Sequence, residues 1–377
     1  MLKNLSLLTV TVAVSLVLCD VLLQIFTPFP ISTATHRVAD PVLGYRLASE
    51  FKGVDGNGFR NPSGLADEYR IAAIGDSHTY GNNVESRDSW PAKFAAITGL
   101  ATYNFGVGGY NIFSYHSLVK RAFERGVGGV IVALYPANDF NMKATAFCSI
   151  DWASEFWTRE TKRLGLVYEA CADGGDADLG KMSLARSIRL FLSGHSAIIS
   201  IFDTFVWQRY FTGEIVALPD GFGDLLVSQV KQHSKYTSLE APEVKQMQES
   251  FRALVDDWKQ SSSKNGTSFG ILVVSSREAV TYRALSDAGL LDVLDVRLRK
   301  SIEPQVALER EIDRMLTAME VPHASILQEM SLALRQAAQD GAELYPPAES
   351  HPAALGYGIY AQVAQELWLE MQARAKQ

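Results

Sequence analysis

The sequence predicts an α/β protein: a three-layer α/β/α domain around a central parallel sheet. Three observations carry that expectation. From Arg70 onward, short apolar runs alternate with segments of helical period, the pattern of βαβ units. Runs such as Gly129-Val130-Ile131-Val132-Ala133-Leu134 are apolar on both alternations, as a strand covered on both faces must be. The chain has 377 residues, 47% hydrophobic and 20% charged, enough to bury a core as one large domain with an insertion or as two domains.

The first element is an apolar run from Leu5 to Phe26, interrupted only by Asp20 and Gln24. As a helix it would span roughly 33 Å, against about 30 Å of bilayer hydrocarbon. Residues 1–30 therefore read as an N-terminal transmembrane helix, with a cleaved signal peptide as the other reading, although no small-x-small site follows the run. Lys3 precedes it, so the positive-inside rule leaves the N-terminus in the cytoplasm. The expected location is the cytoplasmic membrane, single-pass, with the body on the periplasmic or extracellular side. Cys19 falls inside the run and reads as lipid-facing and inert. Cys148 and Cys171 form an even pair in a compartment that permits disulfides, so a bridge or two free thiols both remain open.

Residues 31–69 read as a connector and a polar, Gly-punctuated lead-in. The domain proper, 70–377, opens with strand 70–75, helix 89–98, strand 101–105, helix 114–125 and strand 129–135. It resumes with helix 242–260, strand 269–274, helix 302–319, strand 324–327, helix 329–339 and a closing helix 355–375. Residues 144–240 fit the alternation poorly and read as an insertion. The apolar stretch Ser187 to Phe211 within it suggests one or two amphipathic helices that cap the site, rest on the membrane surface or pack on the sheet, the last being the favoured reading.

A formal charge of −7 and the lack of a basic stripe argue against a nucleic-acid partner. The chemistry concentrates at strand ends, where ligands bind in open α/β sheets. Strand 70–75 stops at Gly75-Asp76-Ser77, placing a candidate nucleophilic hydroxyl at its carboxyl end. A Gly-rich turn, Gly106 to Gly109, follows the second strand and could offer the Gly109 amide to a developing oxyanion. Its spacing does not match a dinucleotide fingerprint, so no cofactor is expected. The third strand delivers Asn138, whose side-chain amide can join the amides of Ser77 and Gly109 in a three-donor oxyanion hole. Near the C-terminus, His351 is the candidate base, because imidazole titrates near neutrality, and Glu349 can orient it. His78, beside the nucleophile, reads as a substrate contact or a structural residue. No spacing of His and carboxylates suggests a metal.

Taken together, Gly75-Asp76-Ser77 with Thr79, then Gly109, Asn138 and His351, resemble the four blocks of the SGNH or GDSL hydrolase family. The resemblance covers about 70–143 and 263–377. It implies a flavodoxin-like SGNH fold and an ester hydrolase in which Ser77 attacks, His351 is the base, and Gly109 and Asn138 help hold the oxyanion. Two positions depart from the pattern: Pro136 stands where a Gly is usual, and Glu349 where an Asp is usual. The lead-in segments Asp40-Pro41-Val42-Leu43-Gly44-Tyr45 and Gly58-Phe59-Arg60 resemble membrane-anchored bacterial members associated with polysaccharide processing. The expected activity is thus a serine esterase removing a small acyl group, foremost acetyl, from a carbohydrate. A polysaccharide O-acetyltransferase using the same acyl-enzyme and a non-catalytic glycan-binding component of an envelope assembly are the alternatives.

Overall fold

The computed structural model describes residues 2–26, 36–51, 53–141, 145–166, 196, 198–199, 215–219, 222–346 and 349–375. Its centre is a five-stranded sheet of β3 (Ile71–Ile74), β4 (Thr102–Asn104), β5 (Gly129–Leu134), β8 (Ser268–Val273) and β9 (His323–Ser325), in the order β4-β3-β5-β8-β9. Every neighbouring pair in it is parallel. By rank along the chain this is 2-1-3-4-5, the flavodoxin-like order, whose switch point lies between β3 and β5.

Period-2 alternation divides the strands between two cores. Ala72 and Ile74 of β3, Val130, Val132 and Leu134 of β5, and Phe269, Ile271 and Val273 of β8 face one apolar cluster. Ile71, Ala73, Ile131, Ala133 and Leu272 face the other. The first is covered chiefly by helices Ile112–Arg125 and Pro242–Asn265, through Phe113, Phe251 and Trp258. The second is covered by helices Trp90–Thr98, Arg277–Asp287, Leu327–Asp340 and Ala354–Arg374, through Trp90, Val280, Leu334 and Tyr360. Three layers result, because each apolar stripe finds its own face of the sheet.

Outside the insertion, two long helices depart most from the sequence reading. Arg277–Asp287, capped by Ser276 accepting from the Ala279 N–H at 3.1 Å, was not anticipated, since its stripe is short and rests on few large apolar residues. The helix expected from 302 begins at Val296, capped by Asp295, and runs to Ala318 with Pro304 inside it. An internal proline removes a hydrogen bond and normally marks a helix start or break, but here the buried Leu298 and Ile302 before it hold the first turns down.

The lead-in packs directly onto the domain. β1 (Arg37–Asp40) and β2 (Gly44–Leu47) form an antiparallel hairpin, and Leu43, Tyr45, Leu47 and Phe59 are buried in the first core. The ends of the insertion are stitched into both cores. Phe147 and Trp157, on helices Thr145–Ser149 and Glu155–Leu164, join the first core. Leu225 of the hairpin β6 (Ile215–Ala217) and β7 (Asp224–Leu226), with Val230 on helix Val227–Thr237, joins the second. The amphipathic helices expected within 187–211 lie outside the described residues apart from 196 and 198–199.

The N-terminal run is helical over Leu2–Phe26, and Val10, Val14, Leu16, Val17 and Leu18 on it are exposed. Among the described residues no helix is long and apolar enough to cross a membrane; the side chains described in this helix are those of residues 10–23. Near its end Asp20 accepts hydrogen bonds from the Ser196 hydroxyl and the Ile198 N–H, both at 2.9 Å. Cys19 is a free, exposed thiol. Cys148 is in a disulfide, while Cys171 lies outside the described residues.

Candidate active site

Ser77 opens a four-residue helix, Ser77–Tyr80, directly beyond the end of β3. Asp76 caps it, its Oδ1 accepting from the His78 N–H at 2.9 Å. The turn is clamped from several sides. Asn104 donates to the Thr79 carbonyl at 2.8 Å, and Trp90 donates to the Thr79 hydroxyl at 3.2 Å. Arg60 donates to the carbonyls of Gly81 and Val84, each at 2.8 Å, capping the far end of the helix. A Cβ on Gly106 would stand 2.2 Å from the Tyr80 nitrogen, so only glycine lets the β4 loop lie against this turn.

His351 comes from the loop before the last helix. The Ser77 hydroxyl donates to His351 Nε2 at 2.7 Å, and His351 Nδ1–H donates to Glu349 Oε1 at 2.7 Å. That tautomer follows from the network, since a hydroxyl and a carboxylate can both be satisfied only with the proton on Nδ1. The same Oε1 accepts the N–H groups of Ser350 at 2.9 Å and His351 at 3.2 Å. The longer glutamate therefore folds back over its own following amides and still reaches the ring, so the departure from aspartate leaves the acid in contact. Arg277, almost fully buried, pins the loop by donating to the carbonyls of Pro346 at 2.9 Å and Glu349 at 2.7 Å.

Asn138 follows β5 on a short turn, Pro136–Asp139, whose first position is taken by Pro136. Proline is suited to that position, since its φ is already helical and no donor is lost. Asn138 Nδ2 donates to Asp76 Oδ2 at 3.1 Å, which ties it to the residue before Ser77, and among the described residues its Oδ1 has no partner. Asp139 serves the loop: it accepts from the Tyr115 hydroxyl at 2.8 Å and the Tyr135 N–H at 2.6 Å. Gly109 sits in the turn after β4 with φ +86°, and among the described residues its N–H has no acceptor. The structure thus joins Ser77, His351 and Glu349 by direct hydrogen bonds and attaches Asn138 through Asp76. Gly109 stands on the loop that packs, through Gly106, against the turn Ser77–Tyr80.

Burial opposes charge on His351, but the Glu349 hydrogen bond and charge, with Asp76 adding to them, outweigh it and raise the ring's pKa above the ordinary value. Glu349 is subject to the opposite balance: burial would raise it, yet His351 and the two amides hold it down to about 2. Burial raises the Asp76 carboxyl, countered by the His78 N–H and by His351. His78 itself is buried, its ring 4.3 Å from Tyr135 and 4.6 Å from His351. Desolvation first, then the neighbouring His351, push its pKa well down, so it is a neutral packing group behind the His351 ring. The structural half of its expected role is the one its burial fits.

Among the described residues, His116, Glu160 and Asp257 bring metal-capable atoms within 4.8 Å of one another. Trp258 donates to His116 Nδ1 at 3.0 Å, which puts the ring proton on Nε2, where it meets Glu160 at 3.1 Å. Arg163 bridges Glu160 and Asp257. A cation on Nε2 would drive that proton to Nδ1, against the indole N–H, so the cluster is read as an ion-pair network within the first core, in which Lys120 lies 3.9 Å from Asp257 Oδ2.

Sequence reasoning missed Arg277 as a support of this site, Arg37 and Tyr45, which donate to the Gly108 carbonyl, and Asn61, which exchanges hydrogen bonds with the Asn104 backbone at 3.0 and 2.8 Å. Tyr45 and Arg60 stand in the lead-in segments singled out above. Arg277 and Arg37 carry no motif.

No family model and no curated relative matches the chain. Among solved structures, it is similar to a member of the lipolytic protein G-D-S-L family from Veillonella parvula DSM 2008. The identity is 12%, over 79% of this chain and 97% of that one, with a TM-score of 0.34. Likeness at that level carries nothing toward function.

Proposed function

We propose that this protein is a serine esterase of the SGNH type that removes a small acyl group, acetyl foremost, from a carbohydrate outside the cytoplasmic membrane, to which its N-terminal helix tethers it. The observation that carries the reading is the unbroken chain of two 2.7 Å hydrogen bonds from the Ser77 hydroxyl through His351 to Glu349. A hydroxyl is a poor nucleophile until a base takes its proton, and a base so oriented contributes roughly 10²–10⁴-fold.

In this mechanism Ser77 Oγ attacks the ester carbonyl as its proton passes to His351 Nε2, and Glu349 stabilises the imidazolium. The oxyanion is met by the N–H groups of Ser77 and Gly109 and by the Asn138 side-chain amide, donors worth about 3 kcal/mol each in such holes. His351 then protonates the departing sugar oxygen, the alcohol leaves, and a water deprotonated by the same ring hydrolyses the acyl-enzyme.

Replacing Ser77 by Ala is expected to abolish turnover of an aryl acetate while leaving the thermal melt unchanged, and a fluorophosphonate probe should label the wild type at Ser77 alone. Turnover retained by the Ala variant refutes the assignment. Run with an acetylated glycan and a second glycan as acceptor, the same assay measures how the acyl-enzyme divides between water and sugar, separating esterase from O-acetyltransferase.

A further inference from the structure

Gly108 and Gly109 share one peptide unit, and that unit is held from behind. The Gly108 carbonyl accepts from the Tyr45 hydroxyl at 2.7 Å and from Arg37 Nη2 at 2.9 Å. A trans peptide is planar, with its C=O and N–H pointing in opposite directions. Fixing the oxygen of Gly108 with two donors therefore fixes the direction of the Gly109 N–H. One of the donors is a guanidinium, and a charge-assisted bond to the carbonyl draws electron density from the peptide nitrogen and strengthens its N–H as a donor.

Both residues come from the lead-in hairpin and hold each other in place. Arg37 lies 4.1 Å above the Tyr45 ring, and Tyr110, on the loop itself, donates back to the Tyr45 carbonyl at 2.6 Å. Burial raises the Tyr45 hydroxyl to about 12, with Arg37 lowering and Asp76 raising it, so it remains a protonated donor across the working range. A Cβ on Gly109 would stand 2.6 Å from the Tyr45 oxygen, at a φ of +86° that side chains rarely adopt, so the contact demands glycine there.

We propose that Arg37 and Tyr45 are positioning residues of the oxyanion hole: the N-terminal hairpin orients and polarises the Gly108–Gly109 peptide so that the Gly109 N–H meets charge developing on the substrate carbonyl. The inference rests on the reading of Ser77 as nucleophile and Gly109 as oxyanion donor. Its consequence is that the lead-in is part of the active site, acting on the transition state rather than on substrate binding.

The test compares the full-length wild type with Tyr45→Phe, Arg37→Gln and Arg37→Lys on an aryl acetate, together with inhibition by an aryl boronic acid, which forms a tetrahedral adduct on the serine. Tyr45→Phe and Arg37→Gln should each lower kcat about tenfold, part of the ~10²–10³-fold worth of one such donor, with KM within about twofold. The boronic acid inhibition constant should rise by the same factor as kcat/KM falls, and Arg37→Lys, which keeps a charged donor, should recover most of the loss. Should Tyr45→Phe fail to fold, the Arg37 pair carries the same test. A folded Tyr45→Phe or Arg37→Gln with wild-type kcat, or with a raised KM and unchanged boronic acid affinity, overturns the proposal while leaving the esterase reading intact. A wild type without Ser77-dependent turnover overturns both.

Discussion

In the proposed mechanism Glu349 sets the pH dependence of the site. His351 must be neutral to accept the Ser77 proton, and its pKa is raised above the ordinary imidazole value because the bond and charge of Glu349 outweigh burial. Activity should therefore climb as pH rises through the raised value, placing the acid limb of kcat/KM above about 6.5. Glu349→Gln removes the charge and keeps the burial, so the ring's pKa drops and the limb should move to lower pH while the plateau falls roughly 10²–10⁴-fold. A pH profile of the variant whose limb stays put or moves up refutes this. Ser77, Gly109, Asn138, Glu349 and His351 were all legible as candidates, because each stands at a strand end or in the last loop, where side chains project into one crevice. The Asn138 to Asp76 bond was not, since the partners lie 62 positions apart and only the sheet brings them to 3.1 Å.

Three strand-to-helix turns and one long loop carry the site, and each is held by a neighbour distant in sequence. The clearest case is the loop 344–353. It carries both His351 and Glu349, and Arg277, at the first position of helix Arg277–Asp287, supports it through two carbonyls. Replacing Arg277 by Met leaves those carbonyls without their charged donor. A loss of about 2–3 kcal/mol in unfolding free energy is expected. A fall of roughly tenfold or more in kcat should accompany it, with KM nearly unchanged, because a base displaced by an ångström costs rate before it costs binding. Denaturant melts and steady-state kinetics on the same preparation check both; a KM effect alone would place Arg277 on the substrate side. This helix escaped the sequence reading, as its apolar stripe is too short to announce itself, and its arginine belongs to no pattern. The lead-in hairpin escaped in a different way: its residues read as a polar stretch, and their burial against the domain became evident only from Leu43, Tyr45, Leu47 and Phe59 entering the first core.

At the scale of the whole molecule, Asp20 of the N-terminal helix accepts from Ser196 and Ile198. If the helix serves as an anchor, a variant lacking residues 1–26 should keep its kcat/KM on a soluble aryl ester within about twofold and cease to sediment with lipid vesicles. Full-length protein that stays in the supernatant would refute the tether. The sequence alone determined the alternation of strands and helices, the double-sided burial of β3, β5 and β8, and the set of chemically able residues at their carboxyl ends. Those features depend on period, apolar run length and chain order, all local properties. It took the folded molecule to establish that β3 and β5 are neighbours across the switch point, that Glu349 still reaches His351, and that Arg37 and Tyr45 hold the Gly108 carbonyl while Arg277 holds those of Pro346 and Glu349. These depend on which surfaces bury each other, and a hydrogen bond between residues tens or hundreds of positions apart leaves no periodic trace in the chain.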